Sequence, residues 1–170
     1  MNEAIFHAIN SLAGKNSILD SFAIFLAGNV FAAVWVGVII AIWLKNRNLR
    51  NNVYLAFVSA LISRGVIVEL LKRIFDHPRP YEVLTNIHKL IVDNEHGMSF
   101  PSGHAVIYFS FAFAFWGTEY FWPFFILAVL GSVARVFVGV HFPADLLASF
   151  VLAALVVLAI RRLFKKGFLR

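Results

Sequence analysis

The arrangement of hydrophobic residues along the chain predicts five membrane-spanning helices. A helix needs about 20 consecutive apolar residues to cross the hydrocarbon layer of a bilayer. Five runs reach or approach this length, and they cover residues 21–44, 53–71, 100–119, 121–140 and 142–160. We therefore predict an all-α fold, a multi-pass transmembrane helical bundle, in which residues 1–170 form a single domain.

The first eighteen residues follow a different pattern. Ile5, Ile9 and Leu12 recur at helical spacing, with Phe6 and Ala13 beside them. This pattern predicts an amphipathic helix that lies on the membrane surface. The segment lacks the basic start and the small-residue cleavage site of a signal peptide, so we expect it to remain in the mature protein.

The composition agrees with a membrane location. Hydrophobic residues make up 61% of the chain and charged residues 14%, with a mean hydropathy of +0.80. A soluble domain averages about 45–50% apolar and about 25% charged residues. The chain contains no cysteine, which excludes disulfides, thiolate metal sites and a cysteine nucleophile.

The distribution of the basic residues predicts the orientation. Two segments, KNRNLRNN after the first predicted span and RRLFKKGFLR at the C-terminus, contain basic residues and no acid. With five spans both segments lie on the same side, and the positive-inside rule makes this side the cytoplasm. Their basic residues are Lys45, Arg47, Arg50, Arg161, Arg162, Lys165, Lys166 and Arg170. The N-terminus and the loop between the second and third spans then lie outside the plasma membrane.

This topology brings three polar segments to the outer ends of their helices. They are KRIFDHPRP at 72–80, PSGH at 101–104 and ARVFVGVHFPAD at 134–145. Their chemically active side chains are Lys72, Arg79, Ser102, His104, Arg135, His141 and Asp145. We expect these side chains to form one site on the outer face.

The cations of this site predict a phosphate ligand. The planar fork of arginine matches phosphate oxygens, and lysine adds a compact charge. Gly103 allows a backbone N–H to approach the anion closely, and the N-terminus of the third span directs its dipole at it. Ser102 adds a hydroxyl donor. The predicted phosphate-binding residues are therefore Lys72, Arg79, Ser102, Gly103 and Arg135.

The two histidines supply groups for a reaction. His141 and Asp145 are four residues apart and share a helical face if the last span begins there. The carboxylate can hold one ring nitrogen and leave the other free to attack phosphorus. His104 can donate a proton to the departing oxygen. This pattern predicts phosphoryl transfer through a phosphohistidine, without a metal or a cofactor.

The three segments resemble the signature of the type 2 phosphatidic acid phosphatase (PAP2) superfamily. That signature reads Lys, six residues, Arg-Pro; then Pro-Ser-Gly-His; then Ser-Arg, five residues, His, three residues, Asp. The resemblance implies a nucleophilic His141 supported by Asp145, a general acid His104, and phosphate ligands at the five residues given above. One position departs, because Ala134 stands where the family has serine, which removes one hydroxyl from the predicted phosphate site.

The small size, the short external loop and the opening MNEAIFHAINSLAGKNSILDSF resemble the bacterial undecaprenyl-diphosphatases of that superfamily. This resemblance implies hydrolysis of a polyprenyl diphosphate to the monophosphate at the outer face, in the recycling of a cell-wall carrier lipid. Phosphatidate, phosphatidylglycerophosphate and transfer of the phosphate to another acceptor remain open. A transporter of anionic lipids would not need the His141–Asp145 pair, and a serine protease using Ser102 would leave the cations unexplained. We expect lipid partners and no nucleic acid.

Other polar residues are expected to have ordinary roles. His7, His77, His88 and His96 fit polar anchors near the interface, and Asp76 and Glu82 fit solvated loop charges. Arg64 lies near mid-membrane, where an ionisable residue is costly. Because it falls outside the signature, we expect Arg64 to form a structural pair inside the bundle.

Overall fold

The computed structural model describes residues 1–92 and 98–167, with side chains as far as residue 163. All regular elements in these ranges are helical, which confirms the all-α prediction. The helices are α1 Asn2–Asn10, α2 Ser17–Ala27, α3 Asn29–Lys45, α4 Arg50–Ile62, α5 Glu69–Phe75, α6 Pro80–Val83, α7 Gly103–Ala114, α8 Phe121–Phe137 and α9 Pro143–Gly167. The predictions on His96 and on the side chains of Lys165, Lys166 and Arg170 fall outside the described part.

The predicted number of five spans is not confirmed. By length and apolar composition, two helical stretches of the described chain could cross a membrane, Arg47–Val83 with 37 residues and Pro143–Leu163 with 21. A third is added if α2 and α3, bent by 57°, count as one span. Helices α7 and α8 have 12 and 17 residues. At 1.5 Å per residue they reach only about 18 and 26 Å, against about 30 Å of hydrocarbon.

The bend between α2 and α3 interrupts the run that the hydropathy pattern predicted as one helix. Asn16 begins α2 by accepting hydrogen bonds from the backbone N–H groups of Ile18 and Leu19. Gly28 ends α2 in an extended conformation, with φ −93° and ψ 173°. Helix α3 therefore starts at Asn29 in a new direction. The last carbonyls of α2 have no partner within their own helix and can accept hydrogen bonds from other residues.

A π-helical segment, Ser63–Val68, joins α4 to α5. Such segments make i to i+5 hydrogen bonds and are frequent at functional sites. The helical stretch ends at Asp76, whose φ of +33° is left-handed. Lys72 is buried in the last turn of α5, with 5% of its surface exposed.

Helix α7 forms the centre of the bundle and packs against α4, α8 and α9. The side chains of Tyr108 and Phe111 are buried and lie against Trp35 of α3, with ring centroids 6.0 Å apart in both pairs. Large apolar side chains on the outer faces are exposed, among them Val30, Leu61 and Leu147. A surface of exposed apolar side chains fits a bundle surrounded by lipid.

Helix α1 is present as predicted, and one of its faces packs onto the bundle. Phe6 is fully buried, whereas Ile5 and Leu12 are 44% and 51% exposed. Asn10 donates hydrogen bonds to the carbonyls of His88 and Phe137, at 2.7 and 2.8 Å. Helix α1 thus fastens the loop before residue 92 to the end of α8, next to the predicted site.

Candidate active site

The three polar segments meet at one cavity of about 420 Å³. Seven of its lining residues are charged or chemically reactive or lie in the signature: Arg64, Lys72, Arg79, Gly103, His104, Arg135 and His141. The predicted residues Ser102 and Asp145 lie behind this lining and are buried, with 0% and 1% exposure. The structure therefore brings the predicted residues together, and their individual roles stay predictions.

His141 lies in the turn between α8 and α9, and Asp145 lies in the first turn of α9. The Nδ1 atom of His141 is 3.2 Å from Asp145 Oδ2, and both side chains are 2% exposed. Pro143 begins α9, a position where a missing N–H costs nothing. The four-residue spacing therefore gives the predicted pair, which leaves Nε2 of His141 available for the cavity.

Asp145 is held by two further donors. Its Oδ2 accepts hydrogen bonds from Ser99 Oγ at 2.6 Å and from the Phe142 backbone N–H at 2.9 Å. Ser99 was missed by the sequence reasoning because it precedes the PSGH motif and has no fixed place in the signature. The Ser99 N–H donates to the carbonyl of His77 at 2.8 Å, which ties this hydroxyl to the first polar segment.

The environment of His141 keeps its imidazole neutral. Burial lowers the pKa of His141 to about 4, and the nearby Arg135 charge acts in the same direction, while the hydrogen bond to Asp145 opposes them. A lowered pKa means that the neutral form prevails above about pH 4, which is the form that a nucleophile needs.

We expect this neutral state to be visible by NMR. In protein labelled with ¹⁵N in its histidine rings, the His141 signal, assigned by its loss in His141→Ala, should keep the neutral pattern down to pH 5 because its pKa is about 4. A midpoint near the ordinary histidine value of about 6.5 would contradict the effect of burial.

His104 contacts a residue that the sequence reasoning did not select. Its Nε2 lies 2.9 Å from Asn29 Oδ1, and Asn29 also lines the cavity. In the sequence, Asn29 is a polar residue inside the first predicted span, residues 21–44, and belongs to none of the three polar segments. The bend at Gly28 brings it to the site, and a hydropathy pattern carries no signal for such a bend.

The same bend supports one of the cations. Arg135 donates from Nη1 to the carbonyl of Ala27, the last residue of α2, at 2.8 Å. Arg79 is 1% exposed, and its backbone N–H donates to Glu82 Oε2 at 2.7 Å, which fixes the turn into α6. Several cations thus line one cavity, and arginine and lysine are the side chains that bind phosphate oxygens, so this cluster fits a site that receives an anion.

Ser102 and Ala134, two positions of the signature, lie outside the lining of the cavity. Ser102 Oγ is buried and makes no hydrogen bond to any described residue, whereas the Ser102 carbonyl accepts one from Ser149 Oγ at 3.0 Å. Ala134, which replaces the family's serine, is buried in α8 outside the cavity lining. The predicted contact of Ser102 with phosphate stays a prediction.

The acidic and histidine side chains of the described residues bear on whether a metal ion binds. Within residues 1–92 and 98–167, no three or more His, Asp or Glu side chains are grouped as they would be around a metal ion. Metal independence remains a prediction, because activity in the presence of a chelator decides it.

Cations around a histidine that pairs with a carboxylate, within an apolar helical bundle, are the groups that a membrane enzyme of phosphoryl transfer needs. The family model of the PAP2 superfamily matches residues 53–168, and the chain belongs to this superfamily. The protein is thus a phosphoric-ester hydrolase, and the predicted resemblance to the superfamily is confirmed.

Two relatives refine the comparison. Undecaprenyl-diphosphatase BcrC of Bacillus subtilis (strain 168) is 35% identical over 159 residues, which cover 92% of this chain and 80% of that protein. The putative undecaprenyl-diphosphatase YbjG of Escherichia coli (strain K12) is 28% identical over 152 residues, covering 88% and 75%. The resemblance to the undecaprenyl-diphosphatase group is therefore also confirmed.

Two solved structures share the fold. The crystal structure of Aquifex aeolicus LpxE superposes with a TM-score of 0.80 at 24% identity, covering 95% of this chain and 94% of that one. A PAP2-type phosphatidylglycerolphosphate phosphatase from Bacillus subtilis gives a TM-score of 0.68 at 20% identity, covering 97% and 87%. At these identities the likeness concerns the fold alone.

Proposed function

We propose that the protein hydrolyses a polyprenyl diphosphate, such as undecaprenyl diphosphate, to the monophosphate at the outer face of the plasma membrane. The observation that carries this proposal is the His141–Asp145 pair, which opens into a cavity lined by buried cations. The names of the relatives favour a diphosphate of a polyprenyl lipid as substrate.

The first half-reaction transfers the terminal phosphate to the enzyme. Nε2 of His141 attacks the terminal phosphorus, a P–N bond forms, and the bond to the bridging oxygen breaks. His104 donates its proton to that oxygen, which leaves as the lipid monophosphate. The surrounding cations stabilise the negative charge that spreads over the transferred group.

The second half-reaction restores the enzyme. A water molecule attacks the phosphohistidine, and His104, now neutral, takes one proton from the water. The P–N bond breaks, inorganic phosphate is released, and His141 becomes free again. Asp145 holds the imidazole through Nδ1 during both steps and stabilises the positive charge on the ring.

Contacts at the far end of α7 support the proposed orientation. Arg161 donates from Nη2 to the carbonyls of Phe113 and Ala114, at 3.2 and 2.9 Å. Asn52 Nδ2 donates to the Ala114 carbonyl at 2.8 Å. The two basic segments therefore gather at the C-terminal end of α7, whereas His104 lies at its N-terminal end. If the basic end is cytoplasmic, as the positive-inside rule requires, the site faces outward.

The test is phosphate release by the purified protein in detergent, with EDTA present. Undecaprenyl diphosphate, phosphatidate and phosphatidylglycerophosphate are compared, and His141→Ala serves as the blank. We expect the diphosphate to have the highest kcat/KM and added divalent metal to change it little. A preference for either glycerophospholipid would replace the proposed substrate.

The remaining outcomes separate the other hypotheses. Release from no substrate above the blank would favour a transporter, or a phosphotransferase that needs an acceptor other than water. A strict requirement for a divalent metal would contradict the metal-independent mechanism.

A further inference from the structure

One cation of the cavity, Arg64, lies outside the three-part signature. It is the second residue of the π-helical segment and lines the cavity together with His104 and His141. Its side chain is 35% exposed and pairs through Nη1 with Glu69 Oε1. Arg64 therefore forms a pair, but both side chains are partly exposed, so the pair does not lie inside the bundle as predicted. The guanidinium also borders the cavity, and four of its five N–H donors are left after this bond.

The π-helical geometry explains why Arg64 can pair with Glu69. The two residues are five apart, which in an α-helix of 3.6 residues per turn would place them on different faces. In a π-helix, residues i and i+5 lie one above the other. The ion pair therefore depends on the π-helical turn, and it holds the Arg64 side chain toward α7.

Gly103 receives the Arg64 side chain. A Cβ atom at residue 103 would lie 2.4 Å from Arg64 Nε and 2.8 Å from Arg64 Cδ, so the Arg64 side chain would have to move away to make room for it. The glycine of the PSGH motif thus provides room for a guanidinium at the start of α7. Because His104 follows directly, Arg64 lies beside the predicted general acid.

Arg64 also borders a second, apolar cavity of about 420 Å³ between α3, α4 and α7. Small and aromatic residues line this groove, among them Ala32, Ala33, Phe57, Ala60 and Phe111. Arg64 is shared by the linings of the two cavities. It therefore lies at the border between a polar, cationic cavity and an apolar groove.

His141, His104 and Arg64 line one cavity, and Arg64 also lines the groove. A polyprenyl diphosphate with its terminal phosphate at His141 and its isoprenoid chain in the groove would therefore bring its lipid-proximal phosphate to Arg64. We propose that Arg64 binds the lipid-proximal phosphate of a diphosphate substrate and makes the enzyme prefer diphosphates over monophosphates. This inference rests on the proposed function.

The chemistry of bond cleavage gives Arg64 a role in the rate as well as in binding. When the bond between the terminal phosphorus and the bridging oxygen breaks, negative charge grows on the lipid-proximal phosphate. A guanidinium at this phosphate binds the transition state more tightly than the ground state, which raises kcat. A monophosphate ester has no phosphate at this position and gains nothing from Arg64.

The experiment compares farnesyl diphosphate with farnesyl phosphate, which share one chain and differ by one phosphate. Arg64→Gln is expected to lower kcat/KM for the diphosphate roughly 30- to 100-fold, because a hydrogen-bonded charge is lost, and to change the monophosphate value less than threefold. Arg64→Lys should fall between. Arg73→Gln, at an exposed cation outside the cavity lining, should leave both values unchanged.

Each result has a distinct meaning. An equal loss on both substrates would assign Arg64 to the fold or to the terminal phosphate and would overturn the inference, as would no loss on the diphosphate. If Arg64→Gln does not elute as folded protein in gel filtration, the Arg64→Lys variant and inhibition of the unmodified enzyme test the inference instead.

The inhibition experiment compares two phosphonates. Methylenediphosphonate should inhibit hydrolysis of farnesyl phosphate about tenfold more tightly than methylphosphonate does; equal inhibition would contradict the inference. Failure of the proposed function shows separately, in unmodified enzyme that prefers the monophosphate.

Discussion

Replacement of His141 with alanine is expected to abolish turnover, with kcat lower by roughly 10⁴–10⁶-fold, the cost of removing a catalytic nucleophile. The cause is specific, because without the imidazole no atom near Asp145 can form the P–N bond. The buried cations and His104 remain, so the variant should still bind the phosphate of the substrate. The measurement is phosphate release from undecaprenyl diphosphate, with gel filtration as the check on folding.

A chemical trap separates a nucleophile from a residue that only supports the fold. Enzyme quenched during turnover of substrate labelled in its terminal phosphate should carry a label that is stable in alkali and lost in acid, as phosphohistidine is. The label should be absent from His141→Ala and present in His7→Ala, which alters a histidine of α1 outside the cavity lining. Normal activity or persistent labelling in His141→Ala would refute the assignment.

Asp145→Asn is expected to lower kcat by ~10²–10⁴-fold while KM changes little. The carboxylate accepts from the histidine Nδ1–H, but an amide can present its N–H₂ to that nitrogen instead. The proton of the ring would then lie on Nε2, and the nitrogen that should attack phosphorus would carry hydrogen. Pre-steady-state labelling of His141 measures this loss directly.

Ser99→Ala is the matched control for this substitution. It removes the hydrogen bond to Asp145 Oδ2 and a longer contact with His141 Nδ1 at 3.4 Å, and it keeps the carboxylate together with the Phe142 N–H bond. A loss of about tenfold in kcat is expected, in line with a single hydrogen bond to a charged group. If Asp145→Asn is no more harmful than Ser99→Ala, tautomer control by Asp145 is wrong.

Much of the candidate site could be predicted from sequence because its chemistry is local. The spacing from His141 to Asp145 is one helical turn, so a correct helix start was enough to predict a contact of 3.2 Å. The cations Lys72, Arg79 and Arg135 could be selected because charged residues at the end of an apolar run are conspicuous in the sequence. Their convergence followed from the alternating direction of successive predicted spans, which places the three polar segments on one side of the membrane.

Asn29 and Arg64 could not be placed at the site in this way, because their positions depend on departures from regular geometry, and Ser99 lies outside the signature. Asn29 reaches His104 through the bend at Gly28, and Arg64 reaches Gly103 from a π-helical turn. Hydropathy averages over such features. The number of spans could not be predicted for a similar reason. An apolar run gives the composition of a segment and not the length of its helix, and α7 ends at Ala114, before α8 begins at Phe121.

The shortness of α7 has a consequence for the depth of the reaction. Helix α7 has twelve residues, from Gly103 to Ala114, and the Ala114 carbonyl accepts hydrogen bonds from Arg161 and Asn52. This is about 18 Å of helix, well below the thickness of the hydrocarbon layer. If the end at Ala114 is anchored at the cytoplasmic interface, the nucleophile lies below the level of the outer headgroups. The membrane must then thin locally, or the diphosphate must move below the level of the headgroups. The rate of turnover is therefore expected to depend on the thickness of the bilayer.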